Sequence, residues 1–231
     1  MIGSVSRKFA IFSWVGVIAL LPETGRAQSA SPFPAMAPIE QYRMAPDAEI
    51  ALARSAAPAS VSGDADILVM GAAGYETAEH GKNGFVCLVG RSWANDFDSP
   101  DFWNPKARSP VCFNAAAARS VLPDYLARTR LALGGAAVGS IKAASTPKAP
   151  EVGAMAYMQS KHGYLNGDVK GPWHPHLMFF FPHTPDPGQW GANVEHSPVV
   201  VNDAPTAALT TVDVRVANWS DGTPDSTSVT R

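Results

Sequence analysis

The chain is 231 residues long, with 18 Lys and Arg against 20 Asp and Glu and a formal net charge of −2. No basic block interrupts that balance, which argues against nucleic acid and anionic membrane surfaces as partners and leaves small molecules, glycans or other proteins. A chain of this size suits one domain of ordinary dimensions.

At the N-terminus, Arg7 and Lys8 precede an uncharged run from Phe9 to Leu21, and Pro22 and a short polar stretch lead to Gly25-Arg26-Ala27. A positive start, an apolar middle and a small residue at the cut are the layout of a secretory signal, so residues 1–27 are expected to be removed after Ala27. The apolar run has 13 residues, whereas a membrane span needs about 20. The mature chain is therefore expected to be extracytoplasmic, periplasmic or secreted, with no transmembrane anchor. It keeps 204 residues, with 15 basic and 19 acidic side chains.

Residues 28–46 carry Pro32, Pro34, Pro38 and Pro46, which block regular helix, so they read as a flexible Pro/Ala-rich lead-in. A short helix is expected from Asp47 to Ala56, closed by Pro58. Ile67-Leu68-Val69-Met70 and Phe85-Val86-Cys87-Leu88-Val89 are runs of strand length, with Asn83-Gly84 before the second as a hairpin signal. Both faces of the second run are apolar, which predicts a central strand covered on both sides. Residues 91–113 then read as a long loop carrying Trp93, Phe97, Phe102 and Trp103.

A helical block follows. Asn114 can cap it, and Pro123 suits the first turn of a helix with Leu122, Tyr125, Leu126, Thr129 and Leu133 on one stripe. Asp124 and Arg128 sit four apart on what reads as its exposed side, and Gly134-Gly135 ends it. Strand-like runs return at 154–158, 176–181, 198–201 and 211–216. Strands at both ends with helices between them predict a single α+β domain over 47–219 with a mainly antiparallel or mixed sheet. Residues 220–231 lack apolar content and read as a flexible tail.

The densest chemical constellation is Trp173-His174-Pro175-His176 with His183 downstream. Residues two apart on an extended segment point the same way, with Cα atoms roughly 6.5 Å apart, so His174 and His176 could share one divalent transition metal such as zinc. His162, His183, His196, Asp168 and His80 are candidates for a third ligand. Three protein ligands and an open position would activate water for hydrolysis. The bland alternative is that both histidines flank a rigid proline at the entry to a core strand.

Cys87 and Cys112 are the two cysteines, and in an oxidising compartment such a pair forms one disulfide. The competing reading makes Cys112, near the start of the helix at Asn114, an activated nucleophile. The order Cys112, His162 or His176, Asn193 resembles that of papain-like hydrolases, in order alone and with no local motif. Ser145-Thr146-Pro147-Lys148 has an S-x-x-K spacing, but Pro147 and Pro150 break the helix that chemistry requires. Asp96, Asp98 and Asp101 lack the Gly and Glu of a calcium loop. Trp93, Trp103, Trp173 and Trp190 are candidates to line a ligand groove, with core packing as the alternative.

No motif of strong chemical specificity is present. The leading expectation is accordingly a non-catalytic exported binding or envelope-associated domain. A metal-dependent hydrolase around His174 and His176 is the alternative, and a cysteine hydrolase using Cys112 a second.

Overall fold

The structure is a computed structural model that describes residues 31–164, 173–182, 186–192, 194–202 and 209–226. The expected signal at 1–27, and His183, Asp168 and Asn193, lie outside them. In chain order the body contains α1 (Pro46–Arg54), α2 (Ala59–Ser62), β1 (Asp66–Met70), β2 (Tyr75–Glu79), β3 (Val86–Gly90), β4 (Ser109–Phe113), α3 (Ala115–Ser120), α4 (Leu122–Leu133), α5 (Val138–Ala144), β5 (Met155–Met158), β6 (His176–Pro182), β7 (Val199–Asn202) and β8 (Leu209–Arg215). The strands form one eight-stranded sheet in the order β2-β1-β3-β4-β5-β6-β8-β7. It is mixed, because β1 and β3 run parallel while the other neighbours are antiparallel. The α+β class expected from the sequence is therefore the observed one. Among the described residues no helix is long and apolar enough to cross a membrane.

Period-two alternation distributes the apolar side chains to two faces. On one face Leu88, Val111, Phe113, Ala156, Met178 and Phe180 pack against Ala117, Val121 and Leu122 of the α3–α4 block. On the other, Ile67, Cys87, Val89 and Cys112 pack against Ala53 and Ala56 at the end of α1. Burial of this kind stabilises by roughly 1.5–3 kcal/mol per large apolar side chain. The two-sided burial of β3 matches its two apolar faces. Asn114 caps α3 as expected, its Oδ1 accepting from the Ala117 N–H at 2.9 Å, worth about 1 kcal/mol.

A third core cluster holds Tyr42, Trp93, Phe102, Trp103, Ala132 and Ile141. It corrects two expectations. The stretch 31–46 packs as part of the body: Tyr42 is fully buried, its hydroxyl donates to the Trp103 carbonyl at 2.7 Å, and Ser31 Oγ donates to the Pro100 carbonyl at 2.6 Å. Prolines excluded regular helix there, and one buried aromatic ring is enough to fix an irregular segment. The second correction concerns 91–113, where β4 emerges from the expected loop.

Pro110 hides β4 in the sequence, because a proline cannot donate to a ladder. Pairing with β5 reaches only Cys112 and Phe113, so Pro110 sits where that side of β4 has no strand beside it. Asn83-Gly84 makes no hairpin between its flanking strands: β2 pairs with β1, and β3 lies on the far side of β1. Asn83 instead holds the crossing segment, its Oδ1 accepting from the Phe85 N–H at 3.0 Å and its Nδ2 donating to the Val61 carbonyl at 2.6 Å. The C-terminal segment also differs from a free tail as far as Ser226. The Ser220 N–H donates to the Gln159 carbonyl at 2.9 Å, and Asp225 is buried.

Candidate functional site

The sequence-derived candidates separate. Trp93 and Trp103 are buried, at 1% and 6% exposure, and Trp93 Nε1 donates to Thr129 Oγ1 on α4 at 2.9 Å. They are core residues, which corrects their assignment to a ligand groove. An indole with its N–H satisfied inside the fold has no polar edge left to offer a ligand. Trp190 lies 4.5 Å from the Phe181 ring and so covers an apolar side chain of β6. Trp173 packs against His176 at 4.5 Å, with the Arg215 guanidinium 5.7 Å from its ring.

Among the described residues no group of three His, Cys, Asp or Glu side chains comes together as a metal site. His174 Nδ1 is 2.6 Å from Asp225 Oδ2. His176 Nδ1 is 2.7 Å from the His174 carbonyl oxygen, and His176 is 3% exposed. Burial pushes the His176 imidazole down to about 4, aided by the nearby Arg215 charge. A neutral ring donating to a carbonyl beside Pro175 is the bland reading of the pair.

Cys87 and Cys112 face each other across β3 and β4 at disulfide distance, Cα to Cα 4.0 Å. Both are fully buried, and Cys112 lies within β4 rather than at a helix start. That removes the thiol nucleophile: no free cysteine is present among the described residues.

A concavity lies elsewhere, between α4 and the strands β6, β7 and β8. It has a volume of about 350 Å³, at the small end of the range for ligand pockets. Its apolar wall includes Val121, Phe180, Val201 and Leu209, and its polar groups are Asp96, Asp124, Tyr125, Arg128, Asn202 and Thr211. The α4 side is rigidly tied. Arg128 Nε meets Asp124 Oδ2 at 2.7 Å, Ser145 Oγ donates to Asp124 Oδ1 at 2.6 Å, and the Arg128 guanidinium stands 4.3 Å over the Phe97 ring. The pair expected on an exposed helix face is thus only 15% and 10% exposed at its side chains.

Asp213 lies behind the sheet wall of this cleft, bonded to Asn202, which lines it. It projects from the same face of β8 as Thr211, two residues before it, and Asn202 Nδ2 donates to its Oδ2 at 2.6 Å. Its register partners are Met178 and Val200, so it is 3% exposed among apolar neighbours. Its Oδ1 is buried with no hydrogen-bond partner among the described residues. Burial raises the carboxyl to about 7, against the opposing effect of the Asn202 donor. Tyr125, buried and held up at about 12, keeps its proton.

Sequence reasoning passed over Asp213 and Asn202. Alternation along 209–215 sets Asp213 with Thr211 and Arg215 on the face opposite Thr210, Val212 and Val214, and a polar face of that kind carries no signal of burial. Comparison with protein-family models, with curated proteins and with solved structures finds no match to this chain.

Proposed function

We propose that the mature chain is an exported binding domain whose ligand is a small molecule seated in the cleft between α4 and β6–β8. The observation that carries this reading is the 350 Å³ cavity whose sheet wall holds Asn202 and Thr211, with Asn202 bonded behind it to Asp213, a carboxyl 3% exposed that has one oxygen without a partner among the described residues. A buried unsatisfied polar atom costs about 1–3 kcal/mol, and a strand position against Met178 could be filled by an apolar residue without that cost. Retaining the carboxyl is understandable when it fixes the Asn202 amide in the cleft wall. The tied Asp124–Arg128–Ser145 cluster supports the same reading, because a prearranged wall loses little entropy when a ligand docks.

The test is a thermal-shift screen of small polar compounds against residues 28–231 and against Ala94→Trp, which fills the cleft from its rim. Compounds that raise the midpoint of the native protein are expected to lose that effect in the filled variant. Hits that stabilise both proteins equally would place the ligand elsewhere and reject the cleft.

A further inference from the structure

We infer that the cleft takes an uncharged small molecule, a compact apolar body bearing a carbonyl or amide oxygen that accepts from the Tyr125 hydroxyl. This rests on the cleft being the ligand site and names the chemistry it would accept. Three observations carry it. The first is the hydroxyl itself. Tyr125 lines the cleft, its ring set edge-on against Phe113 with centroids 5.2 Å apart, and its hydroxyl makes no hydrogen bond among the described residues. The described side-chain atoms sealed from solvent without a partner are Ser92 Oγ, Gln159 Oε1 and Asp213 Oδ1. The Tyr125 hydroxyl is not one of them, so it opens to the space that its residue lines. Burial holds it up at about 12, which keeps the proton on the oxygen as a donor.

The second observation is charge. The groups whose charge acts on that hydroxyl are Arg128, Asp124, Asp213 and Asp96. Arg128 Nε pairs with Asp124 Oδ2 at 2.7 Å, Arg128 also donates to the Asn95 carbonyl at 3.3 Å, and Ser145 occupies the second Asp124 oxygen at 2.6 Å. A carboxylate placed at Tyr125 would therefore meet three acidic groups and one cation that is already paired. An ammonium brings no lone pair to the hydroxyl's proton. Of the three carboxyls only Asp96 is exposed, where solvent and salt screen its pull on a cation.

The third observation is the rest of the wall. Val121, Phe180, Val201 and Leu209 supply an apolar surface, and Asn202 and Thr211 an amide and a hydroxyl. Asn202 binds Asp213 through Nδ2 at 2.6 Å, which leaves its Oδ1 as an acceptor. The wall thus offers a donor for a ligand carbonyl and an acceptor for a ligand N–H, and a cavity of about 350 Å³ suits a compact body.

The experiment is an NMR titration of isotopically labelled residues 28–231 at neutral pH with benzamide, benzoate and benzylamine, three probes of closely similar shape and three charges. Benzamide is expected to shift the Asn202 side-chain amide and the Thr211 and Tyr125 backbone amides, and to bind at least about tenfold more tightly than either charged probe. Tyr125→Phe keeps the ring against Phe113 and removes the hydroxyl. It is expected to weaken benzamide about three- to tenfold and to leave the binding of toluene, which has no acceptor, unchanged. Benzoate or benzylamine binding as tightly as benzamide at those resonances, or a benzamide affinity that Tyr125→Phe leaves unchanged, would overturn the inference while leaving the cleft as a ligand site. No shift at the cleft with any probe would overturn both. Should Tyr125→Phe fail to fold, the ranking of the three probes in the native protein decides alone.

Discussion

His176 on β6 and Asp213 on β8 are diagonal neighbours on one face of the sheet, since His176 pairs with Arg215 and Met178 with Asp213. Burial acts on the two with opposite sign. It lowers the imidazole to about 4 and raises the carboxyl to about 7, so at neutral pH His176 is uncharged and Asp213 stands near half-protonation. A sheet interior that disfavours charge explains both directions.

The folded value of about 7 for Asp213 exceeds the ordinary 3.8, so the folded state binds the proton more tightly than the unfolded chain does. The resulting stability is complete below about pH 4 and is lost as the pH rises through 7. Asp213→Asn keeps an acceptor for Asn202 and removes the ionisation. At pH 8 it is expected to be more stable than the native protein by roughly 2–4 kcal/mol, with little gain at pH 4. Urea unfolding at the two values checks this, and equal effects of the substitution at both would show that Asp213 ionises no differently in the folded and unfolded chains.

For His176 the sign reverses. Its folded value of about 4 lies below the ordinary 6.5, so the unfolded state takes up the proton first, and stability falls as the pH drops from 6.5 towards 4. In the native protein this slope opposes that of Asp213 over the same window. In an Asp213→Asn background it should stand alone, with roughly 2–3 kcal/mol lost between pH 6.5 and 4. Adding His176→Asn, whose amide can still donate to the His174 carbonyl, should flatten it. A slope that survives the double substitution would assign the effect to another group.

The sheet was legible in the sequence where strands bury two faces or alternate cleanly. Leu88 and Cys87 turn to opposite sides of β3, and the run 176–181 becomes β6 almost residue for residue. It was illegible at β2, where Tyr75-Glu76-Thr77-Ala78-Glu79 forms an exposed edge whose sequence carries no core stripe, and at β4, where Pro110 masks a strand. The site was less legible still. Asp124 and Arg128 have the spacing of an ordinary exposed helix pair, and only the packing of α4 across β6–β8 turns them into a wall. Asp213 and Asn202 meet across a β-pairing that no local pattern announces, whereas the conspicuous tryptophans at 93 and 103 are spent on the core.

The Cys87–Cys112 pair links directly opposed residues of two central strands, with a sequence separation of 25. Closing a loop of that length is worth about 3 kcal/mol in the chain-entropy treatment. Replacing both by Ala is expected to lower stability by about that amount while leaving any ligand-induced shift at Asn202 and Thr211 in place. Because both cysteines are fully buried, native protein should resist thiol alkylation even with reductant present until it is unfolded. Ready labelling under native conditions without reductant would contradict the pairing.

Arg91 and Glu49 form an ion pair at 2.9 Å with side chains 0% and 2% exposed. Arg91 also donates through Nε to the Tyr42 carbonyl at 2.8 Å and through Nη1 to the Val89 carbonyl, while Glu49 Oε1 accepts from the Met70 N–H at 3.1 Å. One guanidinium thus ties α1, β3 and the segment around Tyr42 together. Arg91→Met leaves Glu49 buried without its counter-charge and is expected to cost about 3–5 kcal/mol. Adding Glu49→Leu removes the stranded charge and should recover a part of that loss. Recovery stays incomplete because the Tyr42 carbonyl and the Met70 N–H lose the side-chain partners that Arg91 and Glu49 gave them, while the Val89 carbonyl keeps the Tyr75 hydroxyl at 2.6 Å. A double-mutant cycle by urea unfolding measures the coupling: additive single effects would mean that the two charges stabilise the fold independently, against the geometry of the pair.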